Sequence, residues 1–411
     1  VENKRVPEVR FEGFSGKWEK HKLSDIKDVR DGTHDSPKYY NKGFPLVTSK
    51  NLKENGLDMT DVSLISEEDF QAINKRSKVD IGDVIFGMIG TIGNPVIVDR
   101  TGFAIKNVAL IKHGGEIRNE YLIQLLRSPI FKKYIRNENA GNTQKFLGLS
   151  KIRDYQFLSP SYQEQTQIGT FFKQLDDTIT LHRQELSTLK QAKQGFLQKM
   201  FPKEGESMPE VRFSGFTGDW EQRKLREMLA EPVTDGPHET PKLEESGIPF
   251  ISVDAIVDNQ IDFDRKRGYI SEEIDELYSK KYRPQYHDVF LVKSGSTVGK
   301  TAIVETKERF NIWSPLAAMR VGEVSDPYFL YFLLQTRKMQ NQVKDKASSG
   351  TQPNLGMREL EKFHTQITPN LEEQKKIGAF FQQLDNLITL HQRELEALKK
   401  TKKAFLQKMF V

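Results

Sequence analysis

FFKQLDDTITLHRQELSTLKQAKQGFLQKMF (171–201) returns as FFQQLDNLITLHQRELEALKKTKKAFLQKMF (380–410), 209 residues later in a chain of 411. Over 168–201 against 377–410 the two copies share 22 of 34 positions. Apolar residues recur in alternating steps of four and three. In the first copy they are Ile168, Phe172, Leu175, Ile179, His182, Leu186, Leu189, Lys193, Phe196 and Met200. In the second they are Ile377, Phe381, Leu384, Ile388, His391, Leu395, Leu398, Lys402, Phe405 and Met409. Such a seam is the signature of a coiled coil. Ser161-Tyr-Gln-Glu164 and Asn370-Leu-Glu-Glu373 read as capping boxes, each just after a proline, Pro160 and Pro369.

Outward from these helices the whole chain proves to be doubled. VPEVRFEGFSGKWEKHKL (6–23) matches MPEVRFSGFTGDWEQRKL (208–225), and DGTHDSPKYYNKGFP (31–45) matches DGPHETPKLEESGIP (235–249). GDVIFGMIGTIGN (82–94) matches HDVFLVKSGSTVGK (287–300) loosely, and GNTQKFLGLSKI (141–152) matches SGTQPNLGMREL (349–360). A period near 205 is too long for a solenoid and describes two domains of one design. Between the matches, 50–140 and 250–345 share little more than scattered glycines and apolar residues. The expected organisation is therefore two similar rods carrying two dissimilar heads. The heads span 6–158 and 208–366, the helices 159–201 and 367–411, with a linker at 202–207. Each rod needs a partner for its seam, and the other copy is the nearest. Antiparallel pairing would give a pseudo-twofold molecule with His182 and His391 near its dyad, as polar seam residues that fix register or as a pH sensor. Lys193, Lys402 and the KKTKK run at 399–403 are read as a solvated helix face.

Short β-branched and aromatic runs broken by Gly, Pro, Asn and Asp read as strands: FPLVTS, GDVIFGMIG and NPVIVD, then IPFISV, HDVFLVKSG and KTAIVE. YLIQLLRSPIFKKYIRNE (121–138) and YFLLQTRKMQNQVKDKA (331–347) read as helices. The fold class expected is α+β.

Composition narrows the chemistry. The chain has no cysteine, which removes disulfides, thiol nucleophiles and Cys-based zinc sites and fits a reducing compartment. The beginning, VENKRVPEVRF, has no apolar run and reads as no signal peptide; the missing initiator Met reads as trimming or processing. No apolar run approaches membrane-spanning length. With 62 Lys and Arg against 57 Asp and Glu, the net charge of +5 permits an anionic partner without demanding one. SGSTVGKT (294–301) resembles a phosphate-binding loop, but only three residues separate Gly295 from Gly299 where the motif needs four. Neither a methyltransferase Asn-Pro-Pro-aromatic motif nor a metal-spaced His/Glu cluster occurs, so the chain reads as non-catalytic and metal-free. What remains are polar loops at equivalent places: Thr33, His34 and Lys38 against His238 and Lys242; Lys293 and Lys300; Thr143, Gln144 and Lys145 against Thr351, Gln352 and Asn354. Gln and Asn suit adenine edges, while Lys, Thr and backbone N–H groups suit phosphates. The same residues also make turns without any ligand.

The DGTHDSP loop, the GDVIF stretch, the GNTQ stretch and SPSYQEQTQIGTFFKQLDDTI together resemble the specificity subunits of type I restriction–modification enzymes, and the second half repeats the pattern as DGPHETP and TPNLEEQKKIGAFFQQLDNLI. Thr33 becomes Pro237 and Ser36 becomes Thr240, which puts the roles of those hydroxyls in doubt. The resemblance implies that each head reads one half of a bipartite, asymmetric duplex DNA site. It implies that the helices set the spacing and dock two methyltransferase (M) subunits, through Phe172, Leu175, Ile179, His182, Leu186 and Leu189 and through Phe381, Leu384, Ile388, His391, Leu395 and Leu398. It implies N6-adenine methylation by M subunits that bind S-adenosylmethionine. It implies ATP- and Mg-dependent restriction once restriction (R) subunits join, all in the cytoplasm and without a membrane. The rival reading is a non-catalytic coiled-coil adaptor whose heads bind proteins.

Overall fold

The structure is a computed structural model that describes residues 5–54, 56–139, 146–348 and 353–411. It divides into two compact units: the chain up to Glu185 together with Gln392–Val411, and Leu186–His391. Each unit thus owns one head and a portion of both long helices, Tyr162–Lys199 and Leu371–Lys408. No helix among the described residues is long and apolar enough to cross a membrane.

The first head is built on a four-stranded antiparallel sheet in the order Val29–Asp31, Val108–Ile111, Val84–Gly87, Gly93–Ile97. Val84–Gly87 and Val108–Ile111 are buried throughout, which fits their continuous rather than alternating apolar character. A three-stranded sheet sets Phe44–Val47 between antiparallel Ser63–Ile65 and parallel Ala104–Ile105. Glu19–Lys22 pairs with Gln156–Ser159, joining the two ends of the head.

The second head has the same topology from different residues. Its four strands are Thr234–Asp235, Leu316–Met319, Val289–Val292 and Thr301–Ile303; its three are Gly268–Ile270, Ile248–Ile251 and Asn311–Ile312. Glu221–Lys224 closes on His364–Ile367.

The helix read over 121–138 is two helices, Asn119–Arg127 and Pro129–Glu138; that over 331–347 is Pro327–Gln335 and Arg337–Lys346. In the first head Pro129 forces the break, because proline holds the preceding residue in the extended region, and Ser128 sits at φ −67°, ψ 159°. The second head has no proline there. Thr336 adopts the same conformation, and its hydroxyl caps the next helix at the Met339 amide.

Candidate nucleic-acid interface

Each head is tied to a long helix by the residues of the repeated motifs. The hydroxyl of Ser161 accepts from the Glu164 amide at 3.4 Å, and Asn370 accepts from Glu373 at 3.3 Å, so the N-caps are where the sequence places them. The two glutamates do not close the capping boxes. Glu164, 1% exposed, takes Arg10 through a two-point bond, Nε to Oε1 at 2.7 Å and Nη2 to Oε2 at 2.6 Å. Glu373, 0% exposed, takes Arg212 at 2.6 and 2.8 Å. A buried carboxylate requires such a partner, and the fork of a guanidinium satisfies both oxygens. The free guanidinium edge of each arginine donates to a turn carbonyl, Gly16 or Gly218, at 2.7 Å.

The next residue of each helix grips its head. Gln165 accepts from the Arg118 amide at 3.0 Å, and Gln374 accepts from the Asp326 amide at 3.0 Å. Four residues on, Gly169 and Gly378 let helix and head touch: a Cβ at Gly169 would lie 2.9 Å from Glu120 Cβ, and one at Gly378 would lie 2.8 Å from Tyr328 Cβ.

The paired portions of the long helices run antiparallel within each unit. In the first, Phe171 meets Phe405 with ring centroids 5.0 Å apart, and Asp176 meets Lys402 at 2.5 Å. In the second, Phe196 meets Phe380 at 5.1 Å, and Lys193 meets Asp385 at 2.6 Å. Lys193 and Lys402 were expected on a solvated face. Both instead form ion pairs with little exposure, because each lies opposite an aspartate that the seam pattern does not count. Phe172 and Phe381 also need correction as docking residues. Both are fully buried in the head cores, Phe172 near Phe410 and Phe381 near Phe332. Ile179, Ile388 and Leu395 are buried, while Leu175, His182, Leu186, Leu189, Leu384, His391 and Leu398 are half-buried. The heptad pattern misses Leu181 and Leu390, equivalent residues that are 53% and 52% exposed.

At one end of each four-stranded sheet the polar loops gather into a row. In the first head the Thr33 amide donates to Ile105 O at 3.0 Å, and the Asn107 amide donates back to Thr33 O at 3.0 Å. Met88 N then donates to Asn107 O, and Leu147 N to Met88 O. In the second, Ser314 N donates to Pro237 O, Lys293 N to Pro315 O, and Leu355 N to Lys293 O. Asn354 forms an isolated bridge with Ser294 in the same row. The glycine of each Asp-Gly pair is obligatory by contact: a Cβ would lie 2.2 Å from Ile105 O at Gly32 and 1.9 Å from Ile312 O at Gly236.

Behind this row sits a buried aspartate. Asp31 pairs with Arg76 and with His34, whose Nε2 lies 3.0 Å from Oδ2 and whose Nδ1 lies 3.0 Å from Asn107 Oδ1. Asp235 pairs with Lys281, with Lys293 at 3.2 Å and with His238 at 3.4 Å. Lys293, read as a phosphate contact, is only 8% exposed, and its charge is met by Asp235. It supports the loop from inside. His34, Lys38, His238, Lys242, Lys300 and Asn354 are exposed and Thr33 is half-buried. Thr143, Gln144, Lys145, Thr351 and Gln352 lie outside the described residues. The glycine loop at 295–299 connects two antiparallel strands, Val289–Val292 and Thr301–Ile303, whereas a phosphate-binding loop opens a helix.

Sequence reasoning missed the central members of the row. Phe103-Ala-Ile-Lys-Asn107 corresponds to Phe310-Asn-Ile-Trp-Ser314 by strand register, since Val47 pairs with Ile105 as Ile251 pairs with Ile312. Its signal was a Phe-x-Ile repeat too short to stand out. Arg76, near the end of the helix Glu67–Ser77, and Lys281, just past the helix Glu272–Ser279, lie 45 and 46 residues beyond their aspartates, with no local mark.

A family model for the type I restriction modification DNA specificity domain matches residues 15–191 and again 217–400. A Methanocaldococcus jannaschii protein described as a type I restriction enzyme MjaX specificity subunit is 30% identical over 210 residues, 50% of this chain and 48% of that protein. The chain thus matches about half the length of that relative. The MjaIX specificity subunit of the same organism is 23% identical over 416 residues, covering 95% of this chain and 92% of its own. Among solved structures, a type I restriction–modification S subunit from M. genitalium shares the fold with a TM-score of 0.64 at 13% identity, over 99% of both chains.

Proposed function

The chain belongs to the type I restriction–modification DNA specificity family, two copies of whose domain it carries, and we propose that it reads a bipartite, asymmetric duplex DNA site, one half with each head. The observation that carries this reading is the pair of loop rows. Both are built on the same backbone frame, with a glycine pressed against a strand carbonyl and a buried aspartate behind, yet they present different side chains. Two rows of one design with different contents suit two different half-sites.

Thr33, His34, Lys38 and Lys106 in the first head, and His238, Lys242, Lys300 and Asn354 in the second, are the residues we assign to DNA. The recognition heads are 6–158 and 208–366, followed by the helices at 159–201 and 367–411. The helices set the separation of the half-sites and dock two M subunits, and the exposed Leu181 and Leu390 offer each of them an equivalent apolar contact. The M subunits bring S-adenosylmethionine and adenine N6 methylation; R subunits bring ATP- and Mg-dependent restriction. This chain itself supplies recognition in the cytoplasm, without catalysis.

Methylome sequencing of cells expressing the chain with M subunits tests the reading. A split motif is expected, and replacing 6–158 by the head of a relative should change one half and leave the other. A change in both halves would overturn the modular assignment. If the assembled chain shows no salt-dependent binding to duplex DNA, the adaptor reading stands instead.

A further inference from the structure

Beside the loop row of the second head an arginine lies over an indole. The guanidinium carbon of Arg267 lies 4.1 Å from the ring centroid of Trp313. Arg267 immediately precedes the strand Gly268–Ile270, and Trp313 immediately follows Asn311–Ile312; Ile248–Ile251 lies between these strands. The backbone of both residues is fixed: Arg267 N donates to Phe250 O and Trp313 N to Ile251 O, each at 2.9 Å. The next amide, Ser314 N, bonds Pro237 O at 3.1 Å, so the pair adjoins the loop that carries His238.

Arg267 differs from most arginines of its unit. Arg212, Arg223, Arg309 and Arg320 all face carboxylates, whereas among the described residues no carboxylate pairs with Arg267. It is exposed, and the indole is half-buried beneath it. The cation–π contact restrains the guanidinium over the ring while its N–H groups can still donate to a ligand. A fork held in this way matches the O6 and N7 acceptors of guanine in the major groove, the commonest specific contact of arginine. By strand register the first head has Val62 and Lys106 at these two positions, with Lys106 Nζ donating to Ser36 Oγ at 2.5 Å. Neither Val62 nor Lys106 offers a planar fork, so the device is particular to the second head.

We infer that Arg267, held by Trp313, reads a guanine in the half-site of the second head. The inference rests on the DNA-reading function proposed above. The test is selection by the full chain, assembled with M subunits, from duplexes carrying two randomised segments and spacers of several lengths. The half-site of the second head is the one that replacement of 6–158 leaves unchanged. R267Q is expected to lower discrimination at one G·C position of that half by roughly 10- to 100-fold, with every other position kept. W313L is expected to relax the same position. Retention of the first half-site shows that the variants fold and assemble. Two results would overturn the inference: unchanged selection, or uniform weakening across all sequences with the salt slope reduced by about one, as for a phosphate contact. If the wild-type complex selects no split site, the DNA-reading function fails along with it, and that outcome is recognisable without any variant.

Discussion

Around Asp176 in the first unit two cations meet one carboxylate: Arg127 Nη1 at 2.9 Å and Lys402 Nζ at 2.5 Å. Around the equivalent Asp385 in the second, Lys193 stands at 2.6 Å beside the neutral amide of Gln335, which it reaches at 3.2 Å. The geometry is the same with the helices exchanged, yet the balance of charge is not. In the first unit burial and the neighbouring Arg127 lower the pKa of Lys402. In the second, burial raises that of Asp385. One residue in the head, arginine or glutamine, sets whether a second cation stands beside the carboxylate. The comparison teaches that the arginine clamp between helix and head is copied between the units, while the head residue beside the helix aspartate has diverged.

The copied part can be broken most severely at the arginine clamps. Arg212→Ala leaves Glu373 buried and unpaired and is expected to cost the second unit about 3–5 kcal/mol. Arg10→Ala should do the same to the first. Urea denaturation checks both, and a loss below about 1 kcal/mol would show that the clamp is incidental.

A smaller effect is expected at the close crossing of helix and head. Gly169→Ala places a methyl 2.9 Å from Glu120 Cβ and 3.1 Å from the Tyr121 amide nitrogen. It should destabilise by about 1–3 kcal/mol. Gly195→Ala, in the same helix but with nothing within 4 Å of its Cβ, should stabilise by about 0.5–1 kcal/mol. Opposite signs in thermal melts would confirm that the first glycine is there for contact and the second is not.

The diverged part is sharpened by pH. The folded pKa of Lys402 is lowered, so the unfolded chain binds more protons between that value and the ordinary 10.5, and the first unit gains stability as pH rises through this window. The folded pKa of Asp385 is raised above 3.8, so the second unit gains stability as pH falls from the raised value toward 3.8. Lys402→Met should flatten the alkaline gain and Asp385→Asn the acid one. Arg127→Gln should lift the pKa of Lys402 and shrink the alkaline gain, bringing the first unit closer to the second. Stability curves across pH for the variants decide it; an alkaline gain unaltered in Lys402→Met would remove this lysine as its source.

The sequence by itself determined the doubling, the two long helices with their N-caps at Ser161 and Asn370, and three strands of each head, because each is written in local chemistry: period, capping residues and glycine turns. It also marked the Asp-Gly loops. Tertiary structure alone decided what those marks are for. Glu164 has the spacing of a capping box, yet Arg10, 154 residues away, takes both its oxygens, because a buried carboxylate gains more from a guanidinium fork than from one backbone amide. Phe172 and Phe381 fit the helix seam, but a heptad period says only that a face is buried and not what buries it; the heads do. Gly169 and Gly378 sit in the helices as interruptions until the head backbone arrives beside them. The two compact units divide both helices, and no local signal announces that boundary. Arg76 and Lys281 reach their aspartates, and Arg267 its indole, through strand and helix placement that brings together residues about 45 apart. Pairings between distant residues depend on which backbone happens to pass nearby, and that is set only when the whole head has folded.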